Sequence, residues 1–222
     1  LHRSAGSPGL TPDRALVVGL GVTGRAVCRA LVARGGTVTA IEDRPAETHR
    51  AFAAELGIEL VESPDAAALP AHLATAEVLL PSPGVPDRHP VFTAAAAAGV
   101  PVQSEFDLAG VWDDRPVIAV TGTNGKTTVT HLAADMLRRA GRVAAEAGNV
   151  ETPLVEAIDD ATVEVFVVEA SSFRLGHTAH SLGGGSGPQP LAVVVLAALV
   201  APVVWALVRR RASAPRMALA MG

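Results

Sequence analysis

Short apolar runs alternate with longer amphipathic stretches along most of the chain, the pattern of strands buried on both faces and joined by crossover helices. Ala15-Leu16-Val17-Val18 predicts a parallel strand, Arg25 to Arg34 a helix closed by Gly35-Gly36, and Thr37 to Ile41 a second strand ending at Glu42-Asp43-Arg44. The alternation continues with a helix over Ala46–Leu56, strands at Ile58–Val61 and Val78–Leu80, a helix over Pro90–Ala98 and a last short strand at Val102-Gln103. Trp112-Asp113-Asp114-Arg115-Pro116 is polar and turn-prone, and marks a domain boundary. The pattern then resumes with a strand at Pro116–Val120, a helix over Thr127–Ala140 and a short strand at Arg142–Ala145. Pro153 suits the first turn of a further helix, and Val163–Val168 is a strongly apolar strand with Glu169 at its end.

Two glycine-bearing loops fall at strand-to-helix junctions. Gly19-Leu20-Gly21-Val22-Thr23-Gly24 matches GxGxxG inside a βαβ unit, with an acid about 20 residues on, as in dinucleotide sites. The glycines allow a tight turn, close backbone approach to a diphosphate and close helix–strand packing. A ligand-free glycine turn accounts for the same residues. NAD is one candidate ligand; Asp43-Arg44 after Glu42 equally suits another nucleotide, and nothing nearby resembles a hydride-transfer site. Pro81-Ser82-Pro83-Gly84-Val85-Pro86 is a stiff loop at the carboxyl edge of the sheet, where ligands sit in such folds.

The second loop is Gly122-Thr123-Asn124-Gly125-Lys126-Thr127-Thr128. Backbone N–H groups of such a loop and of the helix start point at phosphate oxygens, a lysine adds a point charge, and a hydroxyl reaches Mg²⁺. Lys126 is the only lysine in the chain, and Asn124 and Asn149 are its only asparagines. The loop departs from GxxxxGK[ST]: Val120 occupies the first glycine position, and Gly122 supplies the early turn. Glu169, at the end of a strand expected beside this loop, is the natural Mg²⁺ partner; a solvated strand-end acid is the bland alternative. The predicted fold class is α/β. A Rossmann-like parallel-sheet domain (residues 1–113) precedes an incomplete P-loop ATPase α/β domain (114–180) and a Gly/Pro linker with an apolar, Arg-flanked tail (181–222).

Composition narrows the classes. Hydrophobic residues make up 49% of 222 positions, enough for a sizeable core, and no basic stripe points to nucleic acid. The single Cys28 excludes an internal disulfide and fits a reducing, cytoplasmic compartment; Leu1 to Arg14 has no apolar h-region of a signal peptide. All the acidic residues precede Ser181, whereas Ser181–Gly222 carries four Arg and no acid.

Several spaced motifs resemble the Mur ligase family. Gly122-Thr-Asn-Gly-Lys-Thr127 is similar to its ATP loop. Gly148-Asn-Val-Glu-Thr-Pro-Leu154 and Glu169-Ala-Ser-Ser-Phe-Arg-Leu175 resemble the D-glutamate-adding branch, as do Gly19-Leu-Gly-Val-Thr-Gly24, Ser82-Pro-Gly84 and Ser104-Glu-Phe-Asp-Leu108. The resemblance covers about residues 14 to 180. It implies that ATP phosphorylates the terminal carboxylate of UDP-N-acetylmuramoyl-L-alanine and that the amine of D-glutamate attacks the acyl phosphate. It implies catalytic roles for Lys126, Asn149 and Glu169, with ATP held by Gly122 to Thr128 and Mg²⁺ by Thr127 and Glu169. Gly21, Val22, Thr23, Asp43, Arg44, Ser82, Gly84 and Ser171 fall where the family holds the UDP substrate. Asp43 and Arg174 depart from the family pattern.

After His180 the motifs stop. The family continues with an Asp-His segment that holds a second metal and with a lysine that becomes carbamylated; His177 and His180 are not in that segment, and no second lysine exists here. The expectation is that this chain alone does not ligate. Leu191 to Val208 has no charge and precedes Arg209-Arg210-Arg211, so it is a short transmembrane candidate interrupted by Pro202. The competing reading is an out-of-frame gene end, and a non-catalytic UDP- or ATP-binding module tethered by the tail remains open beside the ligase fragment.

Overall fold

The computed structural model describes residues 11–148 and 152–170, together with one short strand at 195–196. The first half runs β1 (Arg14–Val18), α1 (Val22–Ala33), β2 (Thr37–Glu42), α2 (Glu47–Leu56), β3 (Glu59–Glu62), α3 (Leu69–Leu73), β4 (Val78–Pro81), α4 (Pro90–Ala98) and α5 (Glu105–Trp112). Its strands are all parallel in the order β3-β2-β1-β4, and a bridge from Val102 to Leu79 extends the far edge. Strand order reverses between β1 and β4. The loops after those two strands therefore flank a crevice at the carboxyl edge, the usual ligand position in an open α/β sheet.

Local sequence explains most boundaries. The apolar residues of β1 are buried, as a strand covered on both faces requires. α2 and α4 stop at Gly57 and Gly99, both in the left-handed conformation that ends helices. α5 starts at a capping box in which Ser104 and Asp107 exchange hydrogen bonds. α1 begins three residues earlier than its apolar spacing indicates, directly on the glycine loop, because its first turn faces the crevice rather than the core.

The second half runs β5 (Val117–Thr121), α6 (Lys126–Arg139), β6 (Ala144–Gly148), α7 (Leu154–Ala157), β7 (Val165–Glu169) and β8 (Val195–Leu196), with strand order β6-β7-β5-β8. β6 starts two residues later than Arg142, after the turn at Gly141. Two residues of the stretch Leu191 to Val208 form β8, parallel to β5, pairing Val120 with Val195 and Thr121 with Leu196; the rest of that stretch, read as a short transmembrane candidate, lies outside the described residues. Among the described residues, no helix is long and apolar enough to cross a membrane.

The two sheets share apolar packing. One cluster joins Val27, Leu31 and Leu108 of the first half to Leu154, Val155 and Phe166 of the second. Arg34 reinforces the join: its guanidinium bonds Asp159 at 2.8 Å and lies 4.2 Å from the Trp112 ring centre. Arg115 pins the connecting segment, donating to the carbonyl oxygens of Ile158 (2.5 Å), Asp160 (2.6 Å) and Val163 (2.9 Å) and pairing with Asp113. The segment read as a boundary is thus a braced corner.

Candidate functional site: two loops on one cleft

A cleft of about 1540 Å³ runs from the crevice of the first sheet to the start of α6. Gly19, Gly21, Val22, Thr23, Asp43, Arg44, Ser82 and Gly84 line its first end, and Thr127 and His131 are on its second.

At the first end, side chains and backbone lock three loops together. Gly24 packs so tightly that a Cβ there would lie 1.9 Å from the Gly19 carbonyl oxygen and 2.6 Å from Ser82 Oγ. Ser82 Oγ donates to that same carbonyl at 2.6 Å, so its hydroxyl proton braces the glycine turn and is not offered to a ligand. Glu42 Oε2 accepts the Leu20 N–H at 2.8 Å and Oε1 the Arg44 N–H at 3.0 Å, which ties the loop after β1 to the loop after β2. The acid in the dinucleotide position therefore serves the backbone. Asp43, the next residue, has a half-exposed side chain and meets His89 at 3.0 Å. α1 starts at Gly21 without a side-chain cap or an acidic residue in its first turn, which leaves a helix N-terminus suited to an anion. Val22 is 71% exposed there, the largest apolar exposure of the site.

At the second end, Gly122 (φ 147°) and Gly125 (φ 78°) bend the chain from β5 into α6, whose N-terminus also lacks a side-chain cap. Lys126 Nζ donates to the Gly122 carbonyl at 2.8 Å, folding the ammonium back over the loop. Thr127 Oγ1 donates to Glu169 Oε2 at 2.7 Å. Glu169 is only 5% exposed, so it is no solvated strand-end acid. Register explains the encounter: β5 and β7 pair Val120 with Glu169, which brings the last residue of β7 level with the start of the loop. β6 pairs Gly148 with Glu169 on the other side. A Cβ on Gly148 would lie 2.4 Å from the Glu169 carbonyl oxygen, so only glycine lets the two strand ends approach.

The two hard oxygen donors of Thr127 and Glu169 fit Mg²⁺, which typically takes one or two protein ligands and completes its shell with phosphate oxygens and water. Among the described residues there is no group of three or more His, Cys, Asp or Glu side chains that would hold a metal without a phosphate.

The structure thus unites Gly21, Val22, Thr23, Asp43, Arg44, Ser82, Gly84 and Thr127 on one cleft, with Glu169 bonded to Thr127. Gly122 to Lys126 and Thr128 form the adjoining turn and helix start and are not among its lining residues. Asn149 and Ser171 lie outside the described residues, as do His177, His180 and most of the tail. Sequence reasoning missed His131 and Arg138, which share the Thr127 face of α6 and both contact the partly buried Glu146 of β6. Helical spacing from Thr127 would have found them. It also missed His89, which as the residue before Pro90 at a helix start was legible as an N-cap.

Comparison with known proteins follows the same division. Residues 13–104 match the family described as Mur ligase MurD-like, N-terminal domain, and residues 120–189 the Mur ligase middle domain. The second match reaches nine residues beyond His180, through the glycine-rich segment that carries no motif. UDP-N-acetylmuramoylalanine--D-glutamate ligase of Frankia casuarinae is 42% identical over 186 residues, covering 82% of this chain and 37% of the relative. The protein of the same name from Syntrophus aciditrophicus is 39% identical over 168 residues, covering 75% of this chain and 37% of the relative. Among solved structures, UDP-N-acetylmuramate:L-alanyl-gamma-D-glutamyl-meso-diaminopimelate ligase from Neisseria meningitides aligns with a TM-score of 0.45 at 22% identity, over 72% of this chain and 55% of that one. The chain spans a little over a third of the length of these two curated relatives. It belongs to the Mur ligase family, of which it carries N-terminal and middle-domain sequence.

Proposed function

We propose that the chain is the UDP-substrate- and ATP-binding part of a cytoplasmic ligase that adds D-glutamate to UDP-N-acetylmuramoyl-L-alanine in peptidoglycan precursor synthesis. In this reading residues 1–113 hold the UDP substrate, residues 114–180 begin a P-loop ATPase domain, and residues 181–222 are the linker and apolar tail. The observation that carries it is the Thr127–Glu169 contact, set at the head of β5 and β7 on a cleft that continues to Gly21, Val22 and Thr23.

Each residue then has a task. The uncapped start of α1 receives the diphosphate of the substrate, and Asp43 and Arg44 flank its uridine. Gly122 to Thr128 wrap the ATP phosphates, and Lys126 turns from the Gly122 carbonyl onto the β- and γ-phosphates. Thr127 and Glu169 would hold Mg²⁺, which neutralises charge on the transferring phosphoryl group. The terminal carboxylate oxygen takes the γ-phosphoryl group with release of ADP, and the D-glutamate amine then attacks the acyl carbon and expels phosphate, Asn149 being assigned to the substrate near that phosphate.

The UDP reading is preferred to an NAD site because both Glu42 oxygens are engaged in tying loop amides together and nothing nearby resembles a hydride-transfer site. Thermal unfolding with added ligand tests the choice. UDP-N-acetylmuramoyl-L-alanine at 100 times its Kd should stabilise the chain by about 2.7 kcal/mol. Stabilisation by NADH and not by the UDP compound would overturn the reading.

A further inference from the structure

His89 ends the segment between β4 and α4 and has two partners. As N-cap of α4 its Nδ1 accepts the Val91 N–H at 3.2 Å, so the ring proton is on Nε2, which faces Asp43 Oδ2 at 3.0 Å. The ring is largely buried, with 11% of the side chain exposed, against 52% for Asp43. Ser63 Oγ holds the Asp43 carbonyl at 2.8 Å, and Glu42 holds the following amide. The Asp43 backbone is therefore fixed from two sides, and its carboxylate from a third.

We propose that His89 is a positioning residue for nucleoside recognition: it aims the Asp43 carboxylate at the first end of the cleft, where it accepts hydrogen-bond donors of the uridine. The proposal rests on the reading of this cleft end as a UDP site. An aspartate half in water rotates about two bonds, and a neutral donor on a buried ring removes that freedom before the ligand arrives. A neutral imidazole does so without cancelling the negative charge of the acceptor, as an arginine in the same place would. It also couples the loop after β4, one wall of the crevice, to the loop after β2.

The test separates the helix cap from the Asp43 contact. His89→Asn keeps a favourable N-cap but is too short for Asp43; His89→Gln can reach Asp43 but caps poorly. UDP is titrated calorimetrically into the full chain, each variant and the Asp43→Asn and His89→Asn/Asp43→Asn forms, with Tm measured alongside. The expected result is that His89→Asn retains Tm within a few degrees and weakens UDP by roughly 3- to 30-fold, while His89→Gln loses Tm but keeps most of the affinity. The double variant should bind UDP no more weakly than Asp43→Asn alone. Unchanged affinity in His89→Asn, or losses that multiply in the double variant, would overturn the role of His89 while leaving the UDP site standing. Failure of the unmodified chain to bind UDP would overturn both.

Discussion

Gly24 shows how one missing methyl group holds the crevice together. The third glycine of GxGxxG was legible from spacing, and its reason is steric: the Gly19 carbonyl and Ser82 Oγ occupy the space of a Cβ. Gly24→Ala should destabilise the chain by about 2–4 kcal/mol, measured by urea unfolding, because the obstacle is partly backbone and cannot rotate away. Glu42 is the instructive opposite. Its position after β2 was read correctly, but spacing could not reveal that both oxygens are taken by Leu20 and Arg44 amides, since those bonds depend on how two loops meet. Glu169 likewise was visible as a strand-end acid, whereas its burial and its bond to Thr127 follow from the register of β5 and β7.

At the scale of elements, apolar runs located β1, β2, β4, β5 and β7 well, because strands covered on both faces leave little room for polar residues. α3 and α5 were not foreseen. α3 has only five residues and a proline in its first turn, too short for a helical period to register, whereas the spacing of Ser104 and Asp107, which form a capping box in the structure, is a signal that could have located the start of α5. The corner between α5 and β5 was read as a polar boundary, but its arginine braces the second half. Burial alone would raise the Asp113 pKa, yet hydrogen bonds and charge from Arg115 outweigh that and hold it below the usual carboxylate value. Such a depressed group adds stability above its unfolded pKa of about 3.9 and loses it as pH falls through the folded value. Arg115→Ala should therefore cost about 2–3 kcal/mol at pH 7 by chemical denaturation, with three carbonyls left without their donor. The gap to the unmodified chain should narrow below about pH 4, where only the Asp113 share disappears.

Across the whole molecule, the shared cluster of α1, α5, α7 and β7 makes the two sheets one packed body, and the cleft spans them because the corner at Arg115 is fixed. Alternating periodicity announced two successive α/β units. It could not announce that they share a core, since Leu31 and Leu154 look alike whether they face their own sheet or a neighbour. The apolar stretch from Leu191 to Val208 shows the same ambiguity: hydropathy alone does not distinguish a membrane span from a run that contributes a strand such as β8 beside β5.

On the proposed reading the cleft takes a uridine nucleotide at its first end, and the loop Gly122 to Thr128, which reaches the cleft through Thr127, takes ATP phosphates. Crossed calorimetric titration of UDP-N-acetylmuramoyl-L-alanine and MgATP into the unmodified chain, Lys126→Ala and Asp43→Asn tests it most directly. The expected result is that both ligands bind the unmodified chain, that Lys126→Ala loses MgATP at least about 10-fold while keeping the UDP compound, and that Asp43→Asn does the reverse. Loss of neither ligand in Lys126→Ala, or no binding of the UDP compound to the unmodified chain, would contradict it.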